Sequence, residues 1–183
     1  NNKMKQQVNE AKGKLGILIP GLGAVATTLI AGVAGINKGY SKPIGSVSQL
    51  SRIRLGKRTE DRNPLIKDFV PLAKLEDIVF GGWDVYADNV YEAASKARVL
   101  ESYQLEQVRE ELEQITPMKA VFDRSFVKNL DGQHIKEGLS RRALADAVQA
   151  DIENFKRDNN CDRIVVLWCG STEKYIEGAD IFN

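Results

Sequence analysis

The sequence is poor in the residue types that form disulfides or bind metals, and it has no excess of basic residues. Its 183 residues include two cysteines and one histidine, which are too few for a disulfide framework or a His/Cys metal site. The 26 basic and 25 acidic side chains almost cancel, whereas nucleic-acid binding needs clustered Lys and Arg. The one basic cluster, between Arg52 and Arg62, is interrupted by acids and is typical of a solvated loop. We expect a cytoplasmic protein with no metal and no nucleic-acid partner.

Neither a membrane span nor a secretory signal is expected, although residues 15–36 form an uncharged run of 22 residues. Pro20 and the glycines that follow it divide this run into a short apolar segment, a tight turn and a small-residue segment that begins near Ala24. That order is typical of a strand, a turn and a helix rather than of one membrane helix. We therefore place a polar lead-in at residues 1–14 and a domain at residues 15–183.

The turn reads Gly21-Leu22-Gly23-Ala24-Val25-Ala26, which matches the G-x-G-x-x-A form of the dinucleotide-binding fingerprint. In that fingerprint the first glycine permits a sharp exit from the strand, and the second lets a diphosphate approach the backbone. The free N–H groups of the following helix then face the diphosphate. Gly-rich turns also occur for packing alone, so a ligand site and a packing turn are both open on this evidence.

The acidic partner that usually accompanies this fingerprint is missing. An Asp or Glu about 20 residues after the glycines normally binds the adenosine ribose, but the chain has no acidic residue between Glu10 and Glu60. Asp84 follows the apolar run Ile78-Val79-Phe80 and the residues Gly-Gly-Trp, so it is the carboxylate that could replace the missing acid. A turn or helix N-cap role for Asp84 is equally compatible with its position.

Apolar patterns along the rest of the chain alternate between strand and helix. Strands are predicted at residues 15–19, 44–55, 78–80 and 163–168, with one long helix or two short ones over 89–114 and a helix from Ser140 toward Asp158. The continuous apolar run at 163–168 is typical of a parallel strand covered on both faces by helices. The alternation predicts an α/β fold with a doubly wound, largely parallel sheet.

Ligands of such sheets bind beyond the carboxyl ends of the strands. The last predicted strand ends in Cys169-Gly170-Ser171-Thr172, whose small and hydroxylated residues could contact a cofactor, although Ser and Thr are also common turn residues. A nucleophilic Cys169 paired with His134 is disfavoured, because the two lie far apart in the sequence. The chain has no paired catalytic carboxylates and no nucleophile elbow, so no catalytic residue is assigned.

Taken together, these segments resemble the myo-inositol-phosphate synthase family. The resemblance rests on motifs that follow one another in the family's order over nearly the whole chain: Gly21-Leu22-Gly23, Gly45-Ser46-Val47-Ser48-Gln49, Gly82-Trp83-Asp84-Val85, Val90-Tyr91-Glu92-Ala93, Val99-Leu100-Glu101 and Asp162-Arg163-Ile164-Val165-Val166-Leu167-Trp168-Cys169-Gly170-Ser171-Thr172-Glu173-Lys174-Tyr175. The last motif and the Gly-Trp-Asp motif are specific, whereas the Gly-rich turn alone would not be.

The resemblance implies the NAD-binding, Rossmann-like portion of an isomerase, an intramolecular lyase of inositol and phospholipid biosynthesis. In the family, glucose 6-phosphate is oxidised at C5 by bound NAD, cyclised through an enol by an intramolecular aldol step, and reduced to inositol phosphate by the NADH just made. The family also implies a homotetramer. Its catalytic lysines and its substrate-phosphate site lie in a later α+β region outside these 183 residues, so the fragment alone is expected to be inactive.

Carried over motif by motif, the resemblance assigns a cofactor role to a small set of positions. The diphosphate would lie on the Gly21 turn, at Gly23, Ala24, Val25 and Ala26, and the adenosine ribose on Asp84. The adenine side would be lined by Ala120 and, with less support, Asn129. The reactive end of NAD would meet Cys169, Gly170, Ser171 and Thr172.

Two departures from the family's pattern bear on these assignments. Ala24-Val25-Ala26 stands where many members have Asn residues, so backbone groups would replace side-chain hydrogen bonds to the diphosphate. Cys169-Gly170-Ser171 stands where Thr-Ala-Asn is common, which leaves the contacts at the reactive end undetermined. Two alternatives stay open on the sequence: a stand-alone, non-enzymatic dinucleotide-binding or sensing module, and a Gly/Ala-rich structural domain without a ligand.

Overall fold

A computed structural model describes residues 12–123 and 130–169 of the chain. Four strands form one sheet in the order β3-β2-β1-β4, and every pairing is parallel. The strands are β1 Lys14–Pro20, β2 Ile78–Asp84, β3 Met118–Lys119 and β4 Cys161–Val166. The predicted α/β class with a parallel sheet is confirmed. Among the described helices, none combines the length and the apolar character that crossing a membrane would need.

The strand order places a topological switch point beside the Gly-rich turn. The chain moves outward from β1 through β2 to β3, and then returns to the other side of β1 as β4. In open α/β sheets the crevice beyond the carboxyl ends of the strands at such a reversal is where ligands bind. We therefore expect a ligand site at the carboxyl ends of β1, β2 and β4.

Seven α-helices accompany the sheet in the described residues, together with 3-10 turns at Arg58–Glu60 and Leu75–Asp77. The α-helices are α1 Ala24–Asn37, α2 Val47–Leu50, α3 Ile66–Phe69, α4 Val90–Ala97, α5 Ser102–Gln107, α6 Arg109–Glu113 and α7 Arg141–Asp158. The longest, α7, begins after Ser140, whose hydroxyl accepts a hydrogen bond from the Ala143 N–H, as predicted for a helix with Ser140 at its N-cap.

The two faces of the sheet carry separate apolar cores. Leu18 and Ile19 are both fully buried, but as neighbours on a strand they point to opposite faces. Ile19 belongs to a core formed with α1, α4, α5 and α6. Leu18 belongs to a second core with Trp83, against which α7 packs. The sheet is thus covered by helices on both sides, as a doubly wound fold requires.

Helix α7 comes close to the sheet because two strand positions lack side chains. Phe155 of α7 lies over Gly16 of β1 and Gly81 of β2. A Cβ atom built on Gly81 would overlap the Phe155 ring, and one on Gly16 would also press on that ring and on Ile164. These glycines therefore serve the packing of the helix on the sheet and not a turn.

The prediction of a strand at residues 44–55 is wrong in part. It contains the helix α2 and two isolated antiparallel bridges, Arg52 with Leu65 and Leu55 with Arg62. The apolar residues Val47, Leu50 and Ile53 are spaced by three, which suits a helical turn better than a strand of period two. Residues 38–77 thus form an excursion between α1 and β2.

The region predicted as one long helix or two short ones over 89–114 contains three. Helix α4 ends at Ala97, and the next residue, Arg98, has a left-handed conformation (φ +54°). Helix α5 begins at a capping box formed by Glu101 and Gln104. A left-handed residue stops a helix because it cannot continue the right-handed turn. The apolar periodicity survives these breaks because all three helices bury residues in the same core.

The last strand differs from its prediction in its surroundings. It pairs with β1 as expected, but Val165 and Val166 are each about half exposed, at 48% and 49%. Within the described part of the chain β4 has one neighbouring strand, and its residue Ile164 packs against the α7-side core. No β4 residue belongs to the α1-side core, so the cover on both faces that the apolar run predicts is not found among the described residues.

Prediction for the core. Gly81→Ala should lower the free energy of unfolding by about 1–3 kcal/mol, because the new methyl group would overpack against Phe155. Gly32→Ala is the matched control, since a Cβ at this α1 position meets no described atom and should stabilise the helix by about 0.5–1 kcal/mol. Urea unfolding of the two variants measures both effects. Equal stabilities for Gly81→Ala and the parent protein would contradict the packing argument.

Candidate cofactor site at the carboxyl edge of the sheet

The first glycine of the turn is required by the fold itself. Gly21 has φ +85°, a backbone conformation that side chains disfavour, and its N–H donates to the carbonyl of Trp83 on β2 (2.8 Å). The chain therefore leaves β1 in a sharp turn that is fastened to the end of the neighbouring strand. This arrangement matches the role that the fingerprint assigns to its first glycine.

The second glycine is not explained by the fold. Gly23 occupies the N-cap of α1 with φ −84°, which other residues also adopt. A Cβ atom at Gly23 would meet no described atom within 4 Å. Neither backbone strain nor packing within the described chain thus demands a glycine here. A surface without a Cβ that faces open space suits the close approach of a ligand to the backbone.

The amino end of α1 is open to an anion. No side chain of the described residues caps it, and its first turn holds no acidic residue. The first main-chain bond of the helix runs from the Thr27 N–H to the Gly23 carbonyl (2.9 Å), so the amides that precede Thr27 have no intrahelical acceptor. Ala24 and Val25 are exposed, whereas Ala26 is buried in the same core as Ile19 and Leu22.

Asp84 ties the turn to β2. One carboxylate oxygen, Oδ2, accepts a hydrogen bond from the Leu22 N–H (2.7 Å), and Oδ1 accepts one from the Tyr86 N–H (3.0 Å). The second bond is the turn role that the sequence left open for Asp84. Each carboxylate oxygen can accept more than one hydrogen bond, so neither contact uses up its capacity. Asp84 is partly buried, with its carboxylate directly beside the exposed rim of the turn.

The long spacing between the glycines and Asp84 has a topological cause. Asp84 ends β2, which is the direct neighbour of β1, with Pro20 paired to Trp83. This is the place of the ribose-binding acid in a β1-α1-β2 unit. The excursion at residues 38–77 separates the two motifs in sequence but not in space.

The remaining predicted site residues divide between described and undescribed parts. Ala120 is buried at the end of β3, and both its N–H and its carbonyl are bonded, to His134 (3.0 Å) and Lys136 (2.9 Å). Cys169 is partly buried against the α1 side of the core. Gly170, Ser171, Thr172 and Asn129 lie outside the described residues.

Sequence reasoning missed the contribution of Trp83 to the turn. The notable group is its backbone carbonyl, which receives the Gly21 N–H, and no side-chain pattern signals a main-chain acceptor. The indole lies in the α7-side core, as expected for a large aromatic at a strand end. No group of three or more His, Cys, Asp or Glu side chains in the described ranges could hold a metal ion.

The residues present fit a dinucleotide. An uncapped helix end offers N–H groups and a partial positive charge to a diphosphate. A Cβ-free position beside it allows close approach, and a carboxylate at the adjacent strand end can accept hydrogen bonds from ribose hydroxyls. These three features lie on the same edge of the sheet, at the switch point.

Comparisons with known proteins agree with this geometry. Residues 15–183 match a family model for NAD binding that is described as myo-inositol-1-phosphate synthase. Inositol-3-phosphate synthase 1 of Bacteroides thetaiotaomicron is 50% identical over 178 residues, which cover 97% of this chain and 41% of that protein. Inositol-3-phosphate synthase isozyme 1 of Arabidopsis thaliana is 34% identical over 177 residues, covering 88% of this chain and 34% of that protein.

A solved structure shows the same fold. The crystal structure of inositol-3-phosphate synthase from Caenorhabditis elegans aligns with a TM-score of 0.78 at 25% identity, covering 93% of this chain and 37% of that chain. The chain spans about two fifths or less of the length of these relatives. Given the family match and the geometry at the sheet edge, the chain belongs to the myo-inositol-1-phosphate synthase family and forms its NAD-binding portion.

Proposed function

We propose that the whole protein is an isomerase that converts glucose 6-phosphate to myo-inositol phosphate, and that this chain supplies its NAD site. The observation that carries the proposal is the uncapped, Cβ-free amino end of α1 held against the Asp84 carboxylate. When bound there, NAD would take up a hydride from the sugar and later return it to the product. The names of the family and of the relatives, which are inositol-phosphate synthases, support this product.

Each described residue has a separate part in this proposal. The amides of Gly23, Ala24 and Val25 bind the diphosphate, because they lack intrahelical acceptors and are exposed. Ala26 fixes the helix against β1 through its buried methyl group. Asp84 orients the adenosine ribose while it holds the turn, and its negative charge disfavours the extra phosphate of NADP.

The other assignments concern the two ends of the cofactor and the assembly. Ala120 lies on the adenine side, and residues 169–172 contact the reactive end. We assign no catalytic residue to this chain. The catalytic lysines are proposed to lie in the part of the family's longer proteins that this chain does not cover, which makes the isolated chain inactive. A cytoplasmic homotetramer acting in inositol and phospholipid biosynthesis completes the proposal.

Turnover tests the proposed function. The protein expressed from its complete gene should form inositol phosphate from glucose 6-phosphate when NAD is supplied, with no net production of NADH, because the hydride is returned within each cycle. The 183-residue chain alone should form none. A complete protein that binds NAD but leaves glucose 6-phosphate unchanged would favour the alternative, a dinucleotide-binding or sensing module.

Prediction for Asp84. Asp84→Asn keeps an oxygen acceptor for the Leu22 N–H but removes the charge, so NAD affinity should fall roughly tenfold to a hundredfold, the range expected for hydrogen bonds to a charged group. The preference for NAD over NADP should narrow as well. Calorimetric titration with NAD and with NADP measures the affinity and the preference. Asp146→Asn on the exposed face of α7 is the matched control. An unchanged NAD affinity of Asp84→Asn would contradict the proposed role of Asp84 in binding the ribose.

Prediction for Gly23. Gly23→Ala should lower the unfolding free energy by no more than about 1 kcal/mol, because the added methyl group meets no described atom and the loss of a favourable N-cap residue costs about that much. NAD affinity should nevertheless fall about tenfold or more, since the methyl group blocks the approach of the diphosphate. Gly32→Ala is the control that changes the same helix away from the site. If Gly23→Ala binds NAD as the parent does, the diphosphate is not seated at this turn.

A further inference from the structure

A partly buried polar cluster lies behind the cofactor edge, on the α7 side of the sheet. Asp151 of α7 uses one oxygen, Oδ2, for two contacts. It accepts a hydrogen bond from the Trp83 indole Nε1–H (2.8 Å) and pairs with the Lys136 ammonium (2.7 Å). The side chains of Lys136 and Asp151 are only 14% and 21% exposed, which shields this ion pair from water far more than the other ion pairs described.

Trp83, the first partner of Asp151, lies at the end of β2 that holds the Gly-rich turn; this end forms the diphosphate and ribose wall of the site. Trp83 receives the Gly21 N–H on its carbonyl, and it directly precedes Asp84, whose carboxylate receives the Leu22 N–H. The Trp83 indole therefore anchors the end of β2 to α7, in addition to the pairing of this strand with β1 and β3. Helix α7 fixes that indole through Asp151.

Lys136, the second partner of Asp151, lies beside Ala120, which forms the adenine wall of the site. The Lys136 N–H donates to the Ala120 carbonyl (2.9 Å), and the Ala120 N–H donates to the His134 carbonyl (3.0 Å). The His134 N–H in turn donates to the Val85 carbonyl (2.9 Å), one residue beyond Asp84. Lys136 thus belongs to a continuous main-chain network that joins the end of β3 to the end of β2.

We infer that Asp151 is a positioning residue for the cofactor: through Trp83 and Lys136 it holds the diphosphate and ribose wall and the adenine wall at a fixed separation. The inference rests on the proposed function. Without the carboxylate, a buried indole N–H and a partly buried ammonium group lose their acceptor, and each must move to find water. Both movements displace backbone groups that line the site.

The test uses Asp151→Leu, Asp151→Asn and Trp83→Phe in the complete protein. Asp151→Leu should raise the Kd and KM for NAD by about tenfold, equivalent to about 1.4 kcal/mol, with kcat at saturating NAD and the KM for glucose 6-phosphate unchanged. Asp151→Asn retains an amide oxygen for the indole N–H and should recover part of the affinity. Trp83→Phe removes the indole N–H donor together with part of a buried ring, keeps the backbone carbonyl, and should weaken NAD binding in the same direction.

Asp146→Leu is the matched control, because it removes a carboxylate of the same helix whose ion pair with Arg142 is exposed. Its Kd for NAD should equal that of the parent. If Asp151→Leu does not fold, Asp151→Asn and Trp83→Phe decide the question. Variants that bind NAD as the parent does, or that lower kcat at saturating NAD without changing the Kd, overturn the positioning role. A parent protein that fails to bind NAD overturns the proposed function itself.

Discussion

The structure depends on two hydrogen bonds that β2 makes with the turn after β1. The Gly21 N–H donates to the Trp83 carbonyl, and the Leu22 N–H donates to the Asp84 carboxylate (2.7 Å). Because β1 and β2 are neighbours in parallel register, these bonds cost no rearrangement of the sheet. They fix the direction in which α1 leaves the strand, and therefore where its unpaired amides face.

The two glycines of the turn are present for different physical reasons. Gly21 serves the fold, since its positive φ is the condition for the sharp exit from β1. Gly23 has no such reason in the described chain, where it faces open space. A glycine that neither backbone nor packing requires is best explained by what approaches from outside. Asp84 serves both purposes, because its two oxygens hold the main chain and still have capacity to accept further hydrogen bonds.

Local sequence signals predicted the parts of the fold that local physics determines. The apolar run of β1, the glycines after it and Ser140 before α7 each act within a few residues, and each was found where predicted. The short helix at Val47–Leu50 was missed, and the position of the break at Arg98 was not predicted, because a period of three and a left-handed residue are weak signals. Asp84 lies next to the Gly-rich turn because β2 is the neighbour of β1 in the sheet. The spacing of the two motifs in the sequence does not predict this strand order.

The central claim is that the amino end of α1 receives the diphosphate of NAD. Hydrogen–deuterium exchange of the complete protein, with and without NAD, tests it most directly. The account predicts that NAD slows exchange in the peptide covering residues 21–28, whose leading helix amides lack acceptors, and leaves the excursion at residues 51–66 unchanged. Equal exchange of residues 21–28 in the presence and absence of saturating NAD would contradict it.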